Sequence, residues 1–190
     1  MRPKNNHFDT SIMTKTALFV AILSISSYLV IPLPFTPLVL SLHTVMVNLI
    51  GLLLNPRYAA YTILIYLIMG LIGMPIFSGG TAGPGKLFGP TGGFYFGFFF
   101  AVIVISMLKG KKAHFIRYML VTIGAGLPIQ HIFAVLFLCF HNGFQIQSAF
   151  FTVSLPFILG DIVKCILASM LGATINKVLL CGIGDNIKWE

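Results

Sequence analysis

Acidic side chains are nearly absent from this chain: of 190 residues only Asp9, Asp161, Asp185 and Glu190 are acids. Three sit near the ends, which leaves Asp161 as the one carboxylate between Asp9 and Asp185. A single interior acid does not make a proton or ion relay, and it supplies no carboxylate pair for acid–base catalysis. The three cysteines, Cys139, Cys165 and Cys181, lie in apolar segments without metal-ligand spacing and read as small apolar fillers. The five histidines form no HxxxH or similar cluster, so no metal and no cofactor is expected. Charged residues of any kind are only 8% of the chain against 57% apolar, which excludes an ordinary soluble fold. The net charge of +8 does not point to nucleic acid, because the basic residues are few and scattered between apolar runs.

What is present is a series of apolar runs in a chain short enough for one domain, residues 1–190. A membrane helix needs about 20 mostly apolar residues. The apolar runs supply six, over about 16–31, 38–54, 58–74, 93–108, 118–140 and 157–177. The expected fold is an all-α integral membrane protein with six transmembrane helices. The basic N-terminus followed by an apolar run resembles a signal peptide, but the run lacks a convincing cleavage site and is taken as a retained first helix.

The connections carry their own signals. Three prolines at 32, 34 and 37 end the first run. Residues 78–93 hold seven glycines and two prolines and cannot be regular helix. Glycine there allows backbone to approach a ligand closely, or simply builds a compact turn. The string GPGKLFGPTGG lacks the Gly-Lys-Ser/Thr ending of a phosphate loop, and nothing else in the chain binds ATP. Gly93 and Gly97 have the small-xxx-small spacing of close helix contact. Gly124, Gly126 and Pro128 interrupt the fifth run and predict a kink. Gln130 and His131 follow that kink, where they serve either a ligand or the backbone groups the kink frees.

Inner segments of a six-helix chain with its N-terminus inside hold Arg2, Lys4, Lys15, Arg57, Lys109, Lys111, Lys112, Arg117, Lys177 and Lys188. The outer segments hold Lys86 alone. Cytoplasmic loops carry the excess of Lys and Arg, so both termini are expected in the cytoplasm. The Pro-rich segment, the Gly-rich segment and the His141-Asn142-Gly143 loop then share the outer face with Asp161.

Asp161 and Lys164, three residues apart in the run 155–170, fall on one face of a helix. An ionisable group in such apolar surroundings is costly and reads first as a functional site. The competing reading is an ion pair that ties two helices together, a job that packed apolar residues do with less desolvation.

Three strings now carry a resemblance: IPLPFTP over 31–37, the 79–93 loop ending Leu87-Phe88-Gly89-Pro90-Thr91-Gly92-Gly93, and LPFILGDIVK over 155–164. Together, in this order, they resemble the BioY family, the biotin-specific substrate-binding (S) subunits of energy-coupling-factor transporters. The resemblance runs from about residue 16 to 174 and implies that Asp161 and Lys164 contact biotin. It also implies roles in the site for Gly89, Thr91, Gly92, Gly93 and His43, with His131 on the fifth helix. Phe35, Phe77, Phe88 or Phe94 would form the apolar wall that small-molecule pockets need. Three positions depart from the family pattern: His43 where Gln is usual, His131-x-x-Ala134-x-x-Phe137 in place of Tyr-x-x-Gly-x-x-Trp, and Lys86 in a loop usually apolar at that point. The implied partners are a transmembrane coupling subunit and two ATPase subunits, and Ala17 and Ala21 match the AxxxA motif that packs on the coupling subunit. The rivals are an S subunit for another vitamin, such as thiamine or riboflavin, and an intramembrane enzyme using Asp161 with His131 or His141. The enzyme reading lacks a second carboxylate, a nucleophile motif and metal ligands.

Overall fold

A computed structural model of the chain describes residues 10–32, 39–110 and 112–182. Phe35 and the prolines at 34 and 37 lie outside the described residues, as do Arg2, Lys4, Lys111 and Lys188 of the charge count.

The described chain is almost entirely helical. Helix α1 covers Thr10–Ser26, α2 His43–Leu53, α3 Pro56–Ile72, and a single turn α4 Pro84–Leu87. Then come α5 Gly92–Leu108, α6 Phe115–Val121 and α7 Leu127–Asn142, a short α8 Ile146–Val153, and α9 Leu155–Gly182. Two three-residue strands, β1 Val30–Pro32 and β2 Val39–Ser41, pair antiparallel with Val30 opposite Ser41.

Helix ends differ from the apolar runs at several places, among them both sides of the first connection. Helix α1 stops at Ser26, short of residue 31, and α2 begins at His43, beyond residue 38. The β-branched residues between them pair as strands, an outcome that apolar content alone does not distinguish from helix. Helix α2 is consequently short: 11 residues span roughly 16 Å, about half of a bilayer core of ~30 Å.

The kink expected around Gly124–Pro128 takes the form of a π-helical segment, Thr122–Gly126, that joins α6 to α7 without a break. Pro128 has no N–H to give the preceding turn, and the wider i→i+5 turn absorbs the mismatch. Gly126 is pressed against its neighbours, since a Cβ there would meet Ile105 Cδ1 at 2.7 Å and Asn48 Oδ1 at 3.1 Å.

The spacing of Gly93 and Gly97 does bring two helices together. A Cβ on Gly93 would stand 2.6 Å from the Phe133 carbonyl oxygen, and one on Gly97 would stand 2.9 Å from Gln130 Cα. Gly93 and Gly97 of α5 therefore lie against the backbone of α7.

Large apolar side chains cover the outside. Phe140 is 88% exposed, Leu159 78% and Ile72 78%. Among the described residues two helices are long and apolar enough to cross a membrane, Phe115–His141 and Leu155–Val178, and four shorter helices are also apolar. A soluble protein does not present such a surface to water; lipid chains suit it.

One end of the bundle is tied shut. Lys109 at the end of α5 donates to the Leu54 carbonyl at 2.6 Å, and Ser106 donates to the same oxygen. Burial pushes the Lys109 ammonium down to about 8. The cavity lies toward the other end, where α2, α5 and α9 begin.

Candidate functional site

The cavity lies at the N-terminal end of the short helix α2. Its first turn supplies His43 and Thr44, with Ser41 of β2 just before them. The first turn of α5 adds Phe94, Tyr95 and then Phe98, and α9 adds Phe157, Asp161 and Lys164. The Gly-rich connection completes the wall with Ser78, Lys86 and Thr91. About 640 Å³ is free of protein atoms here, the open mouth and solvent beyond it included.

Asp161 is 4% exposed and carries two neighbours. Lys164 Nζ donates to Asp161 Oδ1 at 2.8 Å, along the same helix. His131 Nε2 stands 3.3 Å from Oδ2 without the alignment of a hydrogen bond. His131 meets the ring of Phe94 edge-on at 5.5 Å. Its neighbour Gln130 points elsewhere, donating to Asn48 Oδ1 at 3.3 Å, and Asn48 in turn reaches Cys165 Sγ at 3.3 Å. Gln130 therefore joins a buried polar chain between α7, α2 and α9, while His131 stands beside the acid.

His43 is held from below. Its Nε2 lies 2.5 Å from Tyr66 Oη, and Tyr66 Oη donates to the Ile76 carbonyl at 2.8 Å. A phenol has one proton to give, so His43 Nε2–H must be the donor to Oη. That fixes the tautomer and makes Nδ1 a lone-pair acceptor, buried and without a partner among the described residues. Phe98 stacks on the imidazole with centroids 6.3 Å apart, and Tyr95 and Tyr66 present edges to it.

The Gly-rich connection has a defined shape. Gly79 N–H donates to the Ser27 carbonyl at 2.9 Å, and Tyr28 Oη donates to the Pro75 carbonyl at 2.6 Å. Ser78 N–H donates to Tyr95 Oη at 3.0 Å. Gly80 has φ 68, a conformation that favours glycine, and a Cβ there would also strike the Tyr28 ring at 2.8 Å. Lys86 is half-buried, and burial holds its ammonium below the usual lysine value.

The expected residues thus divide. The structure brings Asp161, Lys164, His43 and Thr91 to one cavity, with Phe94 on its wall and His131 behind the acid. Gly89, Gly92, Gly93, Phe88 and Phe77 do not line it. A Cβ on Gly92 would stand 1.9 Å from the Leu87 carbonyl oxygen, and one on Gly89 2.8 Å from that of Gly85. These glycines are needed by the protein's own backbone. Phe88 is 48% exposed, and Phe77 is fully buried beneath Gly70. Phe35 lies outside the described residues. Ala17 and Ala21 are exposed on one face of α1 together with Leu18 and Ile25.

Tyr95, Phe98, Phe157, Thr44, Ser41 and Ser78 line the cavity without having been singled out by the sequence. Only Tyr95 carried a signal, as the one hydroxyl in the run GGFYFGFFF.

The model of the BioY family matches residues 1–180. A protein named biotin transporter BioY2, from Lactococcus lactis subsp. cremoris (strain MG1363), is 34% identical over 173 residues, covering 88% of this chain and 91% of the relative. The biotin transporter BioY of Thermotoga maritima (strain ATCC 43589 / DSM 3109 / JCM 10099 / NBRC 100826 / MSB8) is 30% identical over 166 residues, covering 87% of this chain and 96% of the relative. The crystal structure of the S-component for biotin from an ECF-type ABC transporter superposes with a TM-score of 0.79 at 23% identity, covering 91% of this chain and 94% of that one. At that identity the superposition establishes a shared fold.

Proposed function

The chain belongs to the BioY family, and we propose that it is the biotin-binding membrane subunit, the S component, of an energy-coupling-factor importer. The observation that carries the reading is the buried Asp161–Lys164 pair at a cavity in a chain otherwise starved of charge. It is a transport subunit and not an enzyme, in keeping with relatives named as transporters.

Biotin offers two ureido N–H donors, one ureido carbonyl, a thiophane ring and a valerate carboxylate. Asp161, accepting through two oxygens, suits the ureido N–H groups, and charge-assisted bonds of this kind are the strong ones. His43 Nδ1 is a further acceptor whose tautomer the protein has already set. Phe94, Tyr95 and Phe98 suit the ring body.

Six membrane spans with both termini in the cytoplasm suit this arrangement, making the chain a multi-pass protein of the cell membrane. The cavity gathers the first turns of α2 and α5 and an early turn of α9, whereas Arg57, Lys109, Lys112 and Arg117 follow the opposite helix ends. The cavity would then open outward, where biotin is captured. A transmembrane coupling subunit and two ATPase subunits would supply the energy, and the exposed Ala17–Ala21 face of α1 suits the coupling subunit.

Isothermal titration of the purified protein with biotin tests the reading. Saturable one-to-one binding that thiamine and riboflavin do not displace is expected. Preferential binding of either competitor would move the protein to another vitamin.

A further inference from the structure

We propose that Lys86 reads the carboxylate of the ligand, so that the cavity selects a free acid over neutral derivatives of the same molecule. The inference rests on the biotin-binding reading above and deepens it by assigning the two ends of the ligand.

Charge inside the cavity is unbalanced. Two lysines line it, Lys86 and Lys164, against one acid, Asp161. Lys164 is already committed, with its Nζ 2.8 Å from Asp161 Oδ1. Both ion pairs among the described residues use Asp161, and neither includes Lys86. The other three acids of the chain, Asp9, Asp185 and Glu190, belong to the two terminal segments, which the proposed topology puts across the membrane from Lys86. Among the described residues, therefore, no counter-charge pairs with this ammonium. Burial of an uncompensated cation is unfavourable, and a ligand carboxylate arriving in the cavity would relieve it with a charge-assisted bond.

Position agrees with charge. Asp161 is six residues into α9, about 9 Å along the helix from its start. Lys86 comes instead from the connection between α3 and α5, in the single turn α4. An elongated ligand can thus place an uncharged donor–acceptor head at Asp161 and its acid tail at Lys86. That arrangement leaves Lys164 to keep its bond to Asp161 and to donate a further N–H to the ureido carbonyl. The competing role for Lys86 is a long side chain that lays its stem on the cavity wall and keeps its head in water.

The test compares biotin with biotinamide, in which the carboxylate alone is neutralised, on the full-length protein in detergent. Wild type is expected to prefer biotin over the amide by about tenfold or more. Lys86→Met should weaken biotin by roughly ten- to a hundredfold, leave the amide within about threefold, and so abolish the preference. Lys86→Arg should restore much of it. Equal weakening of both ligands by Lys86→Met would overturn the proposal, because the residue would then only shape the loop. Unchanged biotin affinity in that variant would overturn it equally, in favour of a side chain that stays in solvent. Wild type that binds neither compound would instead sink the biotin reading itself.

Discussion

A Cβ on Gly92 would lie 1.9 Å from the carbonyl oxygen of Leu87. The two residues bracket the close of the Gly-rich connection, where the chain turns from α4 into the first residue of α5. That contact shapes the rim of the cavity without lining it.

Gly92→Ala should therefore act on folding before it acts on ligand. Forcing a methyl group against fixed backbone costs about 1–3 kcal/mol or more. Gly85→Ala, in the same connection, meets nothing within 4 Å and should stay within about 0.5 kcal/mol of wild type. Thermal unfolding in detergent compares them. Equal stability of the two variants would mean that the turn relaxes freely.

Tyr66→Phe removes one hydroxyl and leaves two buried groups without a partner, His43 Nε2–H and the Ile76 carbonyl. An orphaned buried polar group costs about 1–3 kcal/mol. A clear loss of stability is expected, together with weaker biotin binding, since the His43 tautomer is no longer imposed. A variant as stable as wild type would contradict the Tyr66–His43 chain.

Topology is open to labelling. In a background with Cys139, Cys165 and Cys181 replaced, Gln145→Cys should react with an impermeant thiol reagent added outside intact cells, and Lys112→Cys should not. Both positions are exposed. The reverse pattern would put the cavity on the cytoplasmic side and contradict the charge count.

The exposed face of α1 separates binding from coupling. Ala17→Trp should block assembly with the coupling subunit and uptake, while the isolated protein still binds biotin. Loss of binding in the isolated variant would show that Ala17 matters to the interior instead.

How far the sequence reached depended on rarity. Asp161 and Lys164 stood out because lipid-facing helices exclude charge, and the cavity residues His43 and Thr91 came with the motifs around them. Gly89, Gly92 and Gly93 were assigned to the ligand, yet they face the protein's own backbone. A close approach demands glycine whichever surface does the approaching, so sequence alone cannot say which. Tyr95 and Phe98 were hidden for a different reason. Helix α5 is apolar on all sides, its outer face as apolar as the face packed on α2, α3 and α7, and no polar stripe marks the inner face. The ends of α1 and α2 were misjudged since Val30–Pro32 and Val39–Ser41 are as apolar as helix but pair as strands. The Gly124–Pro128 interruption was legible, though not its form as a π-segment.

The central claim is that Asp161 and Lys164 serve the ligand and not merely the packing of α9. Asp161→Asn combined with Lys164→Met removes both charges at once, and a purely structural pair tolerates such joint replacement. Biotin titrated into the folded double variant is the most direct test. The account predicts wild-type yield with affinity lowered by at least roughly ten- to a hundredfold; a stable double variant that binds biotin with wild-type affinity would contradict it.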